Sequence, residues 1–375
     1  MRILYTIAGL YRPAGMERIL TDKANYLATR GHELTIVTTE QQGRPIVFPL
    51  EASIKHVDLG IGYEEGNGGS FISKLIRYPA KKLRHKRALA RVLRELRPDI
   101  VISMFCGDES FLPWLNDGSK KILEVHFSRF KRLQYGRKGL WALADRFRSR
   151  SDLRHIRRFD KFVVLTEEDF DYWGRPANGV VIPNFIGSMP QEPSPLEAKT
   201  VLSAGRFEYQ KGFERLIRAW KIVGDRAGHD GWRLRIVGDG PEREALQALT
   251  TELGLGGSVV LDQPHTDMGD VYRQASVFAL SSRYEGLPMV LLEAQAYGLP
   301  IVAFDCKCGP RDVVTPGQDG LLVAEGDVSA LAEALSTLIH DGQMRSGMAA
   351  KARENALRWD KEIIMQKWTT LLENI

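Results

Sequence analysis

Two glutamates eight residues apart stand out first, Glu285 and Glu293, in the run Ser281-Ser282-Arg283-Tyr284-Glu285-Gly286-Leu287-Pro288-Met289-Val290-Leu291-Leu292-Glu293-Ala294. The segment leaves an apolar, strand-like run, turns through Gly286 and Pro288, and enters a helix. A helix start offers unpaired N–H groups and the positive end of the dipole, a natural seat for a phosphate. A carboxylate placed there is costly unless something donates to it, as a ribose diol or sugar hydroxyls would. A hydrogen bond to a charged group is worth roughly 1.5–3 kcal/mol. The plainer alternative has Glu285 capping the helix and Glu293 facing solvent. It fits poorly with Val290, Leu291, Leu292 and Ala294 around Glu293.

Three further groupings could share that chemistry. In Ser203-Ala204-Gly205-Arg206-Phe207-Glu208-Tyr209-Gln210-Lys211-Gly212, a strand ends at Gly205 and a helix starts near Gly212. Arg206 and Lys211 then lie at a strand's carboxyl edge beside a helix start, which suits a diphosphate; alone, they read equally as solvated surface cations. The first strand-to-helix turn, Gly9 to Glu17, is not G-x-G-x-x-G, so a dinucleotide fingerprint is absent. Gly15 in that turn would still let a ligand approach the backbone closely. His126 closes the run Ile122-Leu123-Glu124-Val125-His126-Phe127 at a predicted strand end. A doubly wound domain keeps its ligands there, although a lone histidine is more often structural.

Asp169-Phe170-Asp171 has the spacing of a metal-binding D-x-D, but it falls in a predicted helix where the two carboxylates would diverge. It is expected to be a decoy. Cys306-Lys307-Cys308 lacks the further ligands that zinc needs and reads as loop, with Gly309-Pro310 closing a turn.

These groups need a scaffold of alternating strands and helices. Apolar β-rich runs occur at 2–8, 33–39, 54–59, 99–105, 121–127, 161–166 and 180–185, and again at 200–205, 233–237, 258–261, 277–281, 301–304 and 321–323. Helix-periodic segments lie between most of them, for example Met16, Ile19, Leu20, Ala24 and Leu27 on one stripe. Strands alternating with helices predict parallel sheets covered on both faces. Later helices are expected at 213–223, 241–253, 268–275, 290–297 and 328–340, and from Gln343 to the end. The Pro-rich stretch Ser188–Pro195 suits neither helix nor central strand. The expected fold class is thus α/β, two doubly wound Rossmann-like domains: residues 1–187, a linker at 188–199, and residues 200–360. The ligand site is expected in a cleft between the carboxyl edges of the two sheets. The last segment, 361–375, reads as an amphipathic helix through Ile363, Ile364, Trp368, Leu371 and Leu372, packing on either domain.

Composition sets the outer bounds. The chain has 375 residues, 43% hydrophobic and 26% charged, an ordinary globular balance. Cys106, Cys306 and Cys308 are too few for a disulfide framework and point to a reducing compartment. No apolar run is long enough for a membrane span, and the N-terminus reads as a strand rather than a signal peptide. The net charge of +5 hides an asymmetry: residues 1–187 hold 32 Lys+Arg against 21 Asp+Glu, and the remainder 20 against 26. Much of the excess lies in two basic tracts, 74–97 and 129–161. Such tracts are often merely solvated faces. The functional alternative is contact with an anionic membrane surface or a lipid-pyrophosphate acceptor, each cation adding about 1 kcal/mol near anionic lipid. No nucleic-acid motif accompanies the charge, so nucleic acid is not an expected partner.

Taken together, Arg206…Lys211, Glu285…Glu293, the Gly15 loop, His126 and Ile182-Pro183-Asn184 resemble glycosyltransferase family 4 over nearly the whole chain, most densely from Thr200 to Val323. Ala14-Gly15 stands where the family often carries Gly-Gly. The resemblance implies a GT-B fold and sugar transfer from a nucleotide-sugar donor with retention of configuration. It implies that Glu293 holds the donor ribose, that Glu285 contacts the donor sugar, that Arg206 and Lys211 hold the diphosphate, and that His126 lies near donor sugar and acceptor. Gly15, Gly286, Leu287, Pro288 and Val290 complete the expected donor site. It also implies that helix 361–375 packs back onto the first domain. No cofactor or metal is expected, since cations and a helix start can stabilise the leaving diphosphate. The expected partners are a nucleotide-sugar, a lipid-linked saccharide acceptor and the cytoplasmic face of a membrane. Rival readings are a nucleotide-sugar epimerase of the same architecture and a non-catalytic membrane binder using the basic half.

Overall fold

The computed structural model describes residues 1–63, 71–130, 140–228, 230–265 and 267–375, with the side chains at 71–76, 140–144, 147 and 227 outside the description. Contacts divide it into two units: Met1–Ile182 with Met365–Ile375, and Pro183–Ile364.

In the first unit, β1 (Arg2–Ile7), β2 (Glu33–Thr38), β3 (Lys55–Asp58), β4 (Ile100–Ser103), β5 (Lys120–Glu124), β6 (Lys161–Val164) and β7 (Gly179–Val181) form one sheet in the order β3-β2-β1-β4-β5-β6-β7. Every pairing is parallel. Helices α1 (Gly15–Thr29), α2 (Phe71–Leu96), α3 (Leu140–Ile156) and α4 (Glu167–Tyr172) connect the strands. Ile3, Leu4, Tyr5 and Ile7 of β1 are each at most 1% exposed, so both faces of the central strand are covered, as a parallel sheet requires. The Ile19, Leu20, Ala24 and Leu27 stripe of α1 is buried as its periodicity predicts. The strand expected through Phe185 stops at Val181. Pro183 has no N–H to continue a ladder, and Ile186 N–H turns instead to the Trp359 carbonyl at 3.0 Å.

The second unit repeats the plan. Strands β8 (Thr200–Ala204), β9 (Arg233–Val237), β10 (Val259–Asp262), β11 (Val277–Leu280), β12 (Ile301–Asp305) and β13 (Gly320–Ala324) run parallel in the order β10-β9-β8-β11-β12-β13. Its helices are α5 (Phe213–Ala227), α6 (Arg243–Glu252), α7 (Gly269–Arg273), α8 (Met289–Ala296), α9 (Pro310–Val313), α10 (Val328–His340), α11 (Gly342–Ala356) and, in part, α12 (Lys361–Glu373). The core runs from Trp220 and Ile217 of α5 across Leu234 and Ile236 to Leu331, Leu335 and Leu338 of α10. The chain doubles back once in each sheet, where β1 lies between β2 and β4 and where β8 lies between β9 and β11. A doubly wound sheet places its ligands at the carboxyl ends of those strands.

Two further segments carry detail that the sequence reading did not show. Residues 188–195, expected as a linker, are fastened to the second unit. Ser194 N–H donates to the Tyr297 carbonyl at 2.7 Å, its Oγ to the Ala275 carbonyl at 2.5 Å, and Arg353 to the Pro190 carbonyl at 2.8 Å. Prolines cannot pair in a ladder, but their carbonyls still accept. The single helical stretch expected from Gln343 onward is broken into α11, a short 3-10 turn and α12, because Asp360 turns extended (φ −58°, ψ 139°) and its carboxylate accepts from Glu362 N–H at 2.8 Å. In α12, Ile364, Trp368 and Leu372 are buried, whereas Ile363, expected on the same stripe, is 50% exposed.

Candidate active site

In the second unit, the loops after β8 and β11 are laced together at the carboxyl edge. Arg283 N–H donates to the Gln210 carbonyl at 2.8 Å, and Ser281 Oγ donates to the Lys211 carbonyl at 2.9 Å. Gly212 makes the approach possible. It adopts φ +60°, and a Cβ there would lie 2.4 Å from the Ser281 carbonyl oxygen. The lacing brings Lys211 Nζ to 2.7 Å from Glu285 Oε1. Ser282 Oγ donates to the same oxygen at 2.6 Å, while Gln210 Nε2 reaches Oε2 at 3.3 Å and the Tyr284 carbonyl at 2.9 Å. Glu285 is 5% exposed, and these donors are what make a carboxylate tolerable there. Arg206 is not drawn into this cluster. Its side chain is 64% exposed and pairs with Glu208 at 3.1 Å. Such a surface pair is weak, so the guanidinium can turn to an anion at little cost.

Gly286, Leu287 and Pro288 form the turn into α8, with Leu287 and Pro288 buried and Val290 half-buried. The 306–309 loop is the turn's second wall. Glu285 N–H donates to the Lys307 carbonyl at 3.1 Å, and a Cβ on Gly309 would meet Pro288 Cδ at 2.4 Å. Cys306 and Cys308 are buried there. Glu293 lies half-buried on α8, between the fully buried Leu292 and Ala294. It does not join Glu285; its Oε2 accepts from the Tyr272 phenol at 2.6 Å. Tyr272 is itself held by stacking on Tyr297, with ring centres 5.2 Å apart and planes 16° apart.

In the first unit, Gly15 is the first residue of α1, exposed and without a side-chain cap before it. His126, two residues past the end of β5, points the same way as Glu124, as i and i+2 residues of a strand do. Its Nε2 lies 2.7 Å from Glu124 Oε1. Glu124 also meets Lys23 Nζ of α1 at 2.5 Å, and both side chains are 1% exposed. The ammonium lies 4.1 Å from the Trp368 ring of α12 and 5.6 Å from the Tyr5 ring. Burial alone would raise the Glu124 pKa, but Lys23 and His126 outweigh it and hold the carboxyl at about 2. Burial lowers the Lys23 pKa. With the carboxylate at 2.5 Å and two aromatic faces around the cation, we read the pair as ionised at neutral pH.

A second polar cluster, which the sequence reading missed, ties the ends of β1 and β4. Asp108 accepts from Thr6 Oγ1 at 2.6 Å and Ser103 Oγ at 2.5 Å. Next to it, Glu109 is 7% exposed and its Oε2 has no hydrogen-bond partner among the described residues. Burial, reinforced by Asp108, pushes its pKa up to about 7. Gln210, Ser282, Tyr272, Glu124 and Lys23 were also missed. Only Glu124 left a local trace, as the E-x-H spacing on a strand.

Asp169 and Asp171 diverge, as their helix predicts. Asp169 is buried, accepting from Trp173 Nε1 at 2.9 Å and Arg129 N–H at 3.0 Å, while Asp171 is exposed and pairs with Arg175. Of the basic tracts, residues 131–139 and the Lys74 side chain lie outside the described residues. On α2, Leu89, Val92 and Leu93 are buried, while Arg77, Arg84, Lys86, Arg87, Arg91 and Arg94 are exposed together with Tyr78 (43%) and Leu83 (48%). The amphipathic stripe Leu83, Leu89, Val92, Leu93 and Leu96 suggested by the sequence therefore loses Leu83 to solvent. Among the described residues no helix is long and apolar enough to cross a membrane.

The family model "Glycosyltransferase Family 4" matches residues 13–187, and "Glycosyl transferases group 1" matches residues 187–355. The chain is 35% identical over 223 residues to the amylovoran biosynthesis glycosyltransferase AmsD of Erwinia amylovora, covering 57% of this chain and 62% of that one. It is 27% identical over 376 residues to an uncharacterized glycosyltransferase of Haemophilus influenzae, covering 99% of both. A variant of S. aureus TarM solved with UDP superposes with a TM-score of 0.78 at 15% identity, covering 99% of both chains, which establishes the GT-B fold. The two family models together span nearly the whole chain, and it belongs to the glycosyltransferases, family 4 in its first half and group 1 in its second.

Proposed function

We propose that the chain is a retaining, metal-independent glycosyltransferase that moves a hexose or N-acetylhexosamine from a UDP-sugar to a lipid-linked or polysaccharide acceptor in cell-surface glycan assembly. The observation that carries this reading is the Lys211–Glu285 cluster, built by two loops at the carboxyl edge of β8 and β11, beside the exposed Arg206. In this reading Glu293, held by Tyr272, takes the ribose hydroxyls, and Glu285 meets the sugar. The departing diphosphate is neutralised by Arg206, Lys211 and the free N–H groups at the start of α8, in the positions where charge develops during the reaction. Uridine is suggested by the UDP bound to TarM, and glycan assembly by the part AmsD takes in amylovoran biosynthesis. Peripheral docking at the cytoplasmic face of a membrane is supported by the exposed cations of α2 with Tyr78 and Leu83 among them.

The test is calorimetric titration with UDP, together with transfer from a UDP-sugar. Glu293→Ala and Arg206→Ala should each abolish transfer and weaken UDP binding. Wild-type affinity in both variants would remove the basis for the site. Liposomes with anionic lipid should bind the protein less as salt rises; salt-insensitive binding would point to an apolar anchor instead.

A further inference from the structure

A fully buried ion pair in the first unit is expensive, and replacing such a pair by apolar residues is often neutral or stabilising. Lys23 and Glu124 are each 1% exposed, yet they are not isolated. They form the middle of a continuous line of contacts. Trp368 of α12 lies against the Lys23 ammonium at 4.1 Å, Nζ meets Glu124 at 2.5 Å, and Glu124 Oε1 meets His126 Nε2 at 2.7 Å. The imidazole at its end is 5% exposed.

The line has a chemical consequence. An ionised carboxylate only accepts hydrogen bonds, so the ring nitrogen facing it must be the one that carries the proton. Lys23 keeps Glu124 ionised without competing for the ring. In the neutral imidazole the other nitrogen, Nδ1, is then an acceptor, and it accepts no hydrogen bond among the described residues. A histidine with its tautomer left open could either donate to or accept from a ligand; this one is committed.

We propose that Lys23, Glu124 and Trp368 are positioning residues that lock His126 as the Nε2–H tautomer, so that it meets substrate through Nδ1 as a hydrogen-bond acceptor for a sugar hydroxyl. The identity of the ligand as a sugar rests on the glycosyl-transfer reading above; the tautomer does not. The arrangement makes α12 part of the apparatus that aims His126, because Trp368 is the wall against which the ammonium is held.

The experiment is a long-range proton–nitrogen NMR correlation of the full chain with nitrogen-labelled histidines, with His126→Gln assigning the signal. The wild type should show His126 in the Nε2–H form at pH 8. Glu124→Gln should lose that preference and lower kcat by at least about tenfold while the affinity for UDP changes less than about twofold, since a misplaced tautomer harms the chemical step more than nucleotide binding. Glu124→Gln strands a buried ammonium and could unfold the unit. Lys23→Met with Glu124→Gln removes both charges and keeps the comparison available. An Nδ1–H signal in the wild type, or an undisturbed Nε2–H signal in the double variant, overturns the proposal. A wild type that consumes no sugar nucleotide would overturn the glycosyl-transfer reading instead, and the spectrum would still decide the tautomer.

Discussion

Replacing Glu109 with glutamine should flatten the pH dependence of the first unit's stability, and the size of the effect follows from where that carboxyl sits. It is 7% exposed, its Oε2 meets no donor among the described residues, and burial with Asp108 moves its pKa from 4.5 to about 7. Asp152 adds to the repulsion and Lys82 opposes it. A raised value means that the folded chain keeps a proton which the unfolded chain has already lost between pH 4.5 and 7. Stability therefore falls as pH rises through that window. At about 1.36 kcal/mol per pKa unit the whole contribution is about 3 kcal/mol, most of which disappears between pH 5 and pH 8. In a unit of this size that corresponds to roughly 5–10 °C in Tm. Thermal unfolding of wild type and Glu109→Gln at pH 5 and pH 8, followed by circular dichroism, reads it directly. The variant should lose less stability than the wild type by that amount. Parallel pH profiles in the two proteins would refute the reasoning.

Three more outcomes are expected. Gly212→Ala places a Cβ 2.4 Å from the Ser281 carbonyl at φ +60°. The left-handed backbone alone costs about 1–2 kcal/mol, so the second unit should melt lower and UDP binding should weaken, both readable in one thermal-shift titration. Tyr272→Phe removes the phenol that holds Glu293 Oε2 at 2.6 Å, and UDP affinity should fall by about tenfold if a charge-assisted bond of about 1.5 kcal/mol orients that carboxylate; an unchanged dissociation constant in calorimetry would show that it does not. Glu124 has its pKa lowered to about 2, so its contribution is complete above pH 4.5 and is lost as pH falls towards 2. Acid titration of Lys23→Met with Glu124→Gln should lack that loss.

Much of the fold was legible because parallel strands buried on both faces read as near-continuous apolar runs, and Arg2–Ile7, Val277–Leu280 and Ile301–Asp305 do so. The two turns that meet at Lys211 and Glu285 could each be placed at a strand's carboxyl edge from glycine and proline positions alone. Their meeting could not, since it depends on the order of β8 and β11 within the sheet, a property of topology rather than of local sequence. The same limit hid Tyr272, twenty-one residues from the carboxylate it holds, and Lys23, one hundred and one residues from Glu124. The fastening of residues 188–195 was hidden for a different reason. Proline composition reports what a segment cannot donate, while the fastening there uses the Ser194 hydroxyl and amide and the Pro190 carbonyl.

The division of α12 has a bearing on how the protein is made. Residues Met365–Ile375 complete the unit that begins at Met1, with the second unit lying between them in the chain. On the ribosome the β1–β7 sheet can pair early, but Lys23 has no indole to rest against until Trp368 has been translated. The later half of the chain is therefore the one able to finish folding first, against the usual N-terminal-first order of multidomain synthesis. A message cut short before Trp368 would release a chain whose buried ammonium lacks one of its two aromatic neighbours.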